Sequence, residues 1–125
     1  GKRAKKVVIP EASIQRAFFD YFSFYRHIRA SLFAIPNGGF RNGREARNLK
    51  LQGVSAGVPD IMLAIPNETY HGLFIELKSK NGKLSEHQKE KFITLTLNGY
   101  KVSTCYSLEE AIETVKNYMV GCWQV

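Results

Sequence analysis

Two carboxylates and an ammonium group interrupt apolar runs in the middle of the chain. Asp60 opens the run DIMLAI, and Glu76 and Lys78 lie within the run LFIELKSK. Because successive side chains of a strand alternate between its faces, Glu76 and Lys78 point the same way, roughly 7 Å apart. Burying a charge without a partner is costly, so each of these groups needs a partner or a metal ion.

The two runs are close enough in sequence to form an antiparallel hairpin. One register pairs Ala64 with Gly72. It places Asp60 opposite Glu76 on the same face, whereas a slip by one residue would separate them. Two carboxylates at a hairpin end repel each other unless a cation lies between them, and oxygen ligands suit Mg²⁺ or Mn²⁺. The backbone carbonyl of Leu77 could complete such a site.

Lys78 has two interpretations at this position. Beside a metal ion it could hold and polarise an attacking water. Alternatively, it forms a simple ion pair with Glu76 or Asp60 at the end of a strand.

Two further polar residues fall on the apolar faces of predicted helices. Glu11 lies three residues before Ile14 on the inward stripe of the first helix. It is a metal ligand, a group beside the metal, or a first-turn acid favoured by the helix dipole. Gln88 points inward near Phe92, but SEHQ at 85–88 is also a capping box, so Gln88 has a catalytic role, a capping role or both.

The remaining pattern predicts one α/β domain. A chain of 125 residues is long enough to bury a single core. Periodicity predicts helices at 10–28, 83–99 and 107–119, and strands at 32–36, 60–65, 72–79 and 101–106. The predicted order is α-β-β-β-α-β-α, with residues 1–8 as a basic N-terminal arm and 9–125 as the domain.

The charge balance favours a polyanionic partner. Eighteen Lys and Arg against eleven Asp and Glu give a net charge of +7, which indicates nucleic acid rather than a membrane. If 43–51 is a short helix, cations at every third position form a slanting stripe. The predicted DNA contacts are Asn37, Arg41, Arg44, Arg47 and Lys50. The alternative for these residues is a solvated loop.

We expect a cytoplasmic protein. No apolar run approaches the about 18–20 residues that span a bilayer, and no signal peptide is expected to precede the domain. The two cysteines, Cys105 and Cys122, form no C-x-x-C motif and are expected to be reduced thiols.

Several short motifs resemble those of a known nuclease family. GVPD at 57–60 followed by ELK at 76–78 matches the PD-(D/E)-x-K nuclease signature. The surrounding motifs follow the order of the VRR-NUC (virus-type replication-repair nuclease) family: EASIQRAFFDYF at 11–22, PNGG at 36–39, GVPDIML at 57–63 and KLSEHQ at 83–88. The resemblance covers roughly residues 11–105. It departs from the family at Leu77, where Val is more usual, and at SEHQ, where a Pro often stands.

The resemblance implies a fold and a set of site residues. The fold is restriction-endonuclease-like, with a central mixed four-stranded sheet flanked by helices. Asp60 and Glu76 would be metal ligands, and Lys78 would be the catalytic lysine. Glu11 would be the acidic residue of the first helix, and Gln88 the glutamine after the last catalytic strand.

The resemblance also implies an activity, a metal-dependent DNA endonuclease that uses Mg²⁺ or Mn²⁺. Small stand-alone members, as in bacteriophages, resemble Holliday-junction resolvases and act as homodimers, which implies branched DNA as substrate. A phage-encoded member would work in the host cytoplasm. The alternatives are a flap-, nick- or end-specific repair or restriction nuclease, and a catalytically silent DNA-binding module. The aromatic segment FFDYFSFY, residues 18–25, is either a dimer interface or core.

Overall fold

The structure is a computed structural model that describes residues 8–36 and 43–120. Its helices are Glu11–Phe22 (α1), Arg26–Ala30 (α2), Gly43–Leu51 (α3), Glu86–Leu97 (α4) and Leu108–Tyr118 (α5). Its strands are Leu32–Ala34 (β1), Ile61–Leu63 (β2), Leu73–Leu77 (β3) and Lys101–Cys105 (β4). The predicted α/β class is confirmed. The predicted order differs in two places, since the first helix is divided into α1 and α2, and α3 occupies the segment where a short helix was only conditionally predicted.

Some sequence predictions lie outside the described residues. They concern the basic arm up to residue 7, the PNGG turn after Pro36, the DNA contacts Asn37 and Arg41, and Cys122. Within residues 8–36 and 43–120, none of the helices has the length and apolar character that crossing a membrane requires.

The predicted first helix is divided in two after Phe22. The amide and the hydroxyl of Ser23 both bond to the carbonyl oxygen of Asp20, the hydroxyl at 2.6 Å, and this closes α1. A serine hydroxyl that bonds a nearby carbonyl competes with helix continuation. The apolar stripe nevertheless persists across the break, and its buried members are Ile14, Phe18, Phe22 and Ile28.

The four strands form one mixed sheet in the order β1-β2-β3-β4. β2 is antiparallel to β1 and β3, whereas β4 runs parallel to β3. Ile61 pairs with Ile75, so the next position toward the open end of the hairpin sets Asp60 opposite Glu76. The predicted hairpin and its register are confirmed.

Both faces of β3 are buried, but against different surroundings. Leu73, Ile75 and Leu77 belong to the main core together with residues of α1 and α5. Phe74 and Glu76 are also buried, but because side chains alternate they point to the opposite face. On that face Phe74 contacts the ring of Tyr100, and Glu76 contacts Gln88 of α4, a helix that contains no fully buried residue. Glu76 therefore lies outside the main apolar core, beside the start of α4.

Candidate active site

The predicted catalytic residues meet where β2 begins and β3 ends. Asp60 directly precedes β2, Glu76 and Leu77 close β3, and Lys78 follows it. The Leu77 amide donates a hydrogen bond of 2.8 Å to Oδ2 of Asp60. This bond fixes the Asp60 side chain against the end of β3.

Glu76 is the buried charged residue of the site, with 3% of its surface exposed. Its Oε2 accepts a hydrogen bond of 3.1 Å from Nε2 of Gln88 and lies 3.7 Å from Nζ of Lys78. Its Oε1 is buried and has no hydrogen-bond partner among the described residues. Leaving a buried acceptor unsatisfied costs free energy, so this oxygen is suited to binding a ligand.

Burial changes the protonation of the carboxylate pair. Removal from water, reinforced by repulsion from Asp60, raises the pKa of Glu76 from 4.5 to about 8. Removal from water also raises the pKa of Asp60, against the opposing effect of the Leu77 hydrogen bond. In the absence of a cation, the pair therefore retains a proton at neutral pH. A divalent cation would displace that proton, since metal ligands bind in their deprotonated form.

Gln88 reaches Glu76 because it is part of the capping box that starts α4. Oγ of Ser85 accepts from the Gln88 amide at 3.2 Å, and Oε1 of Gln88 accepts from the Ser85 amide at 2.8 Å. These two bonds orient the side chain so that its Nε2 donates to Glu76. The two roles that the sequence left open for Gln88 therefore coexist in one side chain.

Lys78 is held beside Glu76 by its backbone and by its stem. Its amide donates to the carbonyl of Cys105 at 2.9 Å, which extends the contact between β3 and β4. Its side chain is 15% exposed, and its stem lies under Gly82, where an added Cβ would come within 3.3 Å of Lys78 Cδ. Nζ of Lys78 thus lies near the Glu76 carboxyl group, at 3.7 Å from Oε2. A catalytic role for Lys78 stays a prediction.

Glu11 approaches the site from α1. The residue is exposed in the first turn of α1, although its side chain reaches the end of the sheet. Its Oε1 accepts from the Ser79 amide at 3.1 Å, just beyond β3. Its charge contributes to the raised pKa values of Asp60 and Glu76. A metal-ligand role for Glu11 stays a prediction.

Gly57 has a structural role at the site that the sequence reasoning missed. Its φ is +83°, and an added Cβ would lie 2.3 Å from the carbonyl oxygen of His87 and 2.8 Å from the amide nitrogen of Gln88. Only glycine permits this approach of two backbones. The contact fixes the segment that carries Asp60 against the start of α4. The glycine three residues before the aspartate in GVPD was the available signal.

The donor set fits a hard divalent cation. The carboxylates of Asp60 and Glu76 and the predicted carbonyl ligand of Leu77 are all oxygen donors, as Mg²⁺ and Mn²⁺ prefer. The unpartnered Oε1 of Glu76 is the atom that most needs such a ligand. Within the described ranges, no group of three or more His, Cys, Asp or Glu side chains is arranged as a metal cluster. Carbonyl and water ligands would have to complete the coordination.

Three of the cations predicted to contact DNA lie on α3. Arg44, Arg47 and Lys50 are exposed, and α3 contains no buried residue. Lys91 of α4 contacts the segment after α3 through a 2.8 Å hydrogen bond to Oγ of Ser55. The conditional prediction of a short helix at 43–51 is confirmed, whereas its contact with DNA stays a prediction.

The fold is similar to that of a solved structure described as a VRR_NUC domain protein. The TM-score is 0.78 at 24% sequence identity, and the match covers 91% of each chain. The family model for the VRR-NUC domain matches residues 12–109. The chain therefore belongs to the VRR-NUC family, which implies a nuclease of the PD-(D/E)xK type with DNA as its substrate. No curated protein sequence matches the chain.

Proposed function

We propose that this protein is a metal-dependent DNA endonuclease whose site is formed by Asp60, Glu76 and Lys78. The observation that carries this function is the buried Glu76, which faces Asp60 and whose Oε1 has no hydrogen-bond partner within residues 8–36 and 43–120. Membership in the VRR-NUC family supports the nuclease class. A module that only binds DNA gains nothing from two carboxylates, because they repel phosphate.

The chain's own residues have distinct tasks in this mechanism. Asp60 and Glu76 would hold Mg²⁺ or Mn²⁺ together with the Leu77 carbonyl, and Glu11 is a candidate further ligand. When bound, the cation supplies positive charge that polarises water and phosphate. Lys78 positions the attacking water by hydrogen bonding from Nζ. Gln88 keeps the Glu76 carboxylate in place through the 3.1 Å hydrogen bond.

We infer further that the enzyme acts on branched DNA as a homodimer. A two-fold dimer presents two sites to two strands, which suits paired incisions at a junction. In the aromatic segment considered as an interface, Phe18 and Phe22 belong to the core, whereas Phe24 is 78% exposed. The exposed cations of α3 would contact phosphates and position the DNA without reading bases.

Cleavage of a labelled four-way junction beside a linear duplex with the same arms tests this function. Each substrate is incubated with Mg²⁺, Mn²⁺ or EDTA and with the wild type, Lys78→Ala or Lys80→Ala. Lys80 is an exposed lysine two residues away and serves as the matched control. We expect symmetric, metal-dependent nicking of the junction by the wild type and Lys80→Ala, and none by Lys78→Ala.

Other results would contradict individual parts of the proposed function. Equal cleavage of every substrate, including flaps and nicked duplexes, would retain the nuclease and reject junction selectivity. Binding without cleavage under any metal would reject catalysis and leave a DNA-binding module. A monomer in sedimentation that still nicks both strands symmetrically would reject the homodimer.

A further inference from the structure

The carboxylate site shares one face of the sheet with an aromatic side chain. In the register of the sheet, Phe33 of β1 pairs with Met62 of β2, and Met62 pairs with Phe74 of β3. Because side chains alternate along a strand, Asp60 lies on the same face as Met62, and Glu76 on the same face as Phe74. Phe33 therefore points to the face that carries both carboxylates, opposite the face that packs on α1.

Phe33 lies one row of side chains away from the carboxylates. The pairing of β1 with β2 continues up to the site, because the Ile35 amide donates to the Asp60 carbonyl at 2.7 Å. Two residues along a strand span about 6.6 Å and neighbouring strands are about 4.8 Å apart, so the Cα atoms of Phe33 and Asp60 are about 8 Å apart. A nucleotide whose phosphate occupies the carboxylate site therefore reaches Phe33 with its sugar or its base.

The part of this face formed by β1 and β2 is apolar and partly open. Phe33 is 45% exposed, and Ile35 and Met62 are half-buried. Phe74, by contrast, is buried and contacts the ring of Tyr100 with 5.4 Å between the ring centroids. Among the residues of the four strands, Phe33 is therefore the aromatic residue of this face that a ligand can contact.

An apolar surface beside a phosphate site is suited to the nucleoside part of DNA. The side chains of Phe33, Ile35 and Met62 offer neither a hydrogen-bond donor nor a positive charge to a phosphate. Aromatic rings stack on bases, and every base has a face that can stack. In a continuous duplex, however, neighbouring base pairs cover both faces of each pair. Phe33 can therefore stack only where this stack is interrupted, as at the branch point of a junction.

We propose that Phe33 stacks on a base pair at the branch point and so places the adjoining phosphate at Asp60 and Glu76, an inference that rests on the nuclease function proposed above. Met62 and Ile35 extend the apolar contact toward the sugar. Selectivity for branched DNA then arises from an uncovered base-pair face, and not from the sequence of the duplex. Phe33 contributes to substrate selection and has no part in the chemical step.

Fluorescence anisotropy in EDTA measures this binding without cleavage. The probes are a labelled four-way junction and a linear duplex with the same arms. Phe33→Leu keeps an apolar side chain but removes the ring, whereas Phe33→Tyr retains the ring. Leu97→Ala removes an apolar side chain of α4 that is 81% exposed, and it serves as the control for loss of exposed apolar surface.

The expected effect is confined to the junction and to loss of the ring. We expect Phe33→Leu to weaken junction binding about tenfold and duplex binding less than about twofold. Phe33→Tyr and Leu97→Ala should bind both probes within about twofold of the wild type. Because unfolded protein binds neither probe, the ratio of the two affinities corrects for any loss of folded protein.

Junctions that lack one base identify the contacted position. Each nucleotide at the branch point is replaced in turn by an abasic one, and binding is measured for the wild type and for Phe33→Leu. At the stacked position, removal of the base should weaken wild-type binding about tenfold and change Phe33→Leu binding less than about twofold. This non-additivity is typical of groups in contact. Additive losses at every branch-point position would refute stacking.

Three further outcomes would overturn the proposal. Equal weakening of junction and duplex binding by Phe33→Leu would show that Phe33 contacts a feature common to both DNA forms. An equal effect of Leu97→Ala would show that the loss of exposed apolar surface alone weakens binding. A change in sedimentation of Phe33→Leu, with junction binding intact, would assign this face to a second copy of the chain.

The two proposals fail separately. Because anisotropy is measured in EDTA, ring-dependent junction binding by a protein that never cleaves DNA would refute only the nuclease function. Cleavage by the wild type together with unaffected junction binding in Phe33→Leu would refute only the role of Phe33.

Discussion

Replacing Glu76 with glutamine should remove the pH dependence of stability that the buried carboxylate causes. Glutamine keeps the shape of the side chain and an acceptor for Gln88, and its amide can donate to Asp60. It therefore mimics protonated Glu76. In the metal-free wild type, the same position must become charged as pH rises, in a place where the second carboxylate oxygen has no partner among the described residues.

The magnitude follows from the two pKa values of Glu76. Its pKa is about 8 in the folded state and 4.5 as the ordinary value. Between these values the folded state holds a proton that the unfolded state has released, so the free energy of unfolding falls as pH rises. The stabilisation is complete below pH 4.5 and lost as pH passes about 8. An interval of about 3.5 pH units at about 1.4 kcal/mol each gives an upper bound of about 5 kcal/mol.

Urea unfolding in EDTA, followed by circular dichroism at pH 5, 7 and 9, measures this effect. The control is Glu68→Gln, which changes an exposed glutamate. Between pH 5 and 9, we expect the free energy of unfolding of the wild type and of the control to fall by several kcal/mol. For Glu76→Gln, it should fall by less than about 1 kcal/mol. At pH 8, Mg²⁺ should stabilise the wild type and not Glu76→Gln. Parallel pH profiles for all three proteins would refute the assignment of a raised pKa to Glu76.

Three further substitutions test how the site is built. Gly57→Ala should destabilise the fold by more than about 2 kcal/mol in urea unfolding, because its Cβ would meet the His87 carbonyl, whereas Gly53→Ala, also at positive φ but with open space, should cost less. Gln88→Ala should lower the free energy of unfolding by about 1–2 kcal/mol, because it removes half of the capping box. It should also lower kcat for DNA cleavage, and an unchanged kcat would contradict a role for its contact with Glu76. Arg47→Ala should weaken DNA binding and reduce the salt slope by about one without changing kcat, and an unchanged slope would exclude a phosphate contact.

The sequence predicted the centre of the site because strand patterns strongly constrain register. A slip by one residue would move Asp60 and Glu76 to opposite faces, and the hairpin register inferred from the short connection, which sets them opposite each other, is the one observed. Gln88 was predictable for a related reason, since a capping box determines where its side chain begins. In both cases, a local rule determines the position of a residue that contributes to the site.

Features that depend on tertiary contacts or on one side chain were not predictable in this way. The apolar period continues through Ser23, so only the bond of its hydroxyl to Asp20 reveals where α1 ends. Helical spacing placed Glu11 on the inward stripe, but the first turn of α1 leaves it exposed at the end of the sheet. The close approach of Gly57 to α4 joins segments about 30 residues apart, which periodicity does not describe.

The way in which the carboxylates are anchored distinguishes a ligand site from a simple buried ion pair. A buried ion pair recovers its desolvation cost only when hydrogen bonds satisfy all of its polar atoms. Here Gln88 and Lys78 both approach Oε2 of Glu76, and the Lys78 ammonium, at 3.7 Å, lies beyond hydrogen-bond distance. Oε1 remains without a partner among the described residues. Asp60 is anchored to the backbone through Oδ2, which accepts from the Leu77 amide. Because this arrangement leaves part of the desolvation cost uncompensated, it favours a site that binds a cation over an ion pair that stabilises the fold.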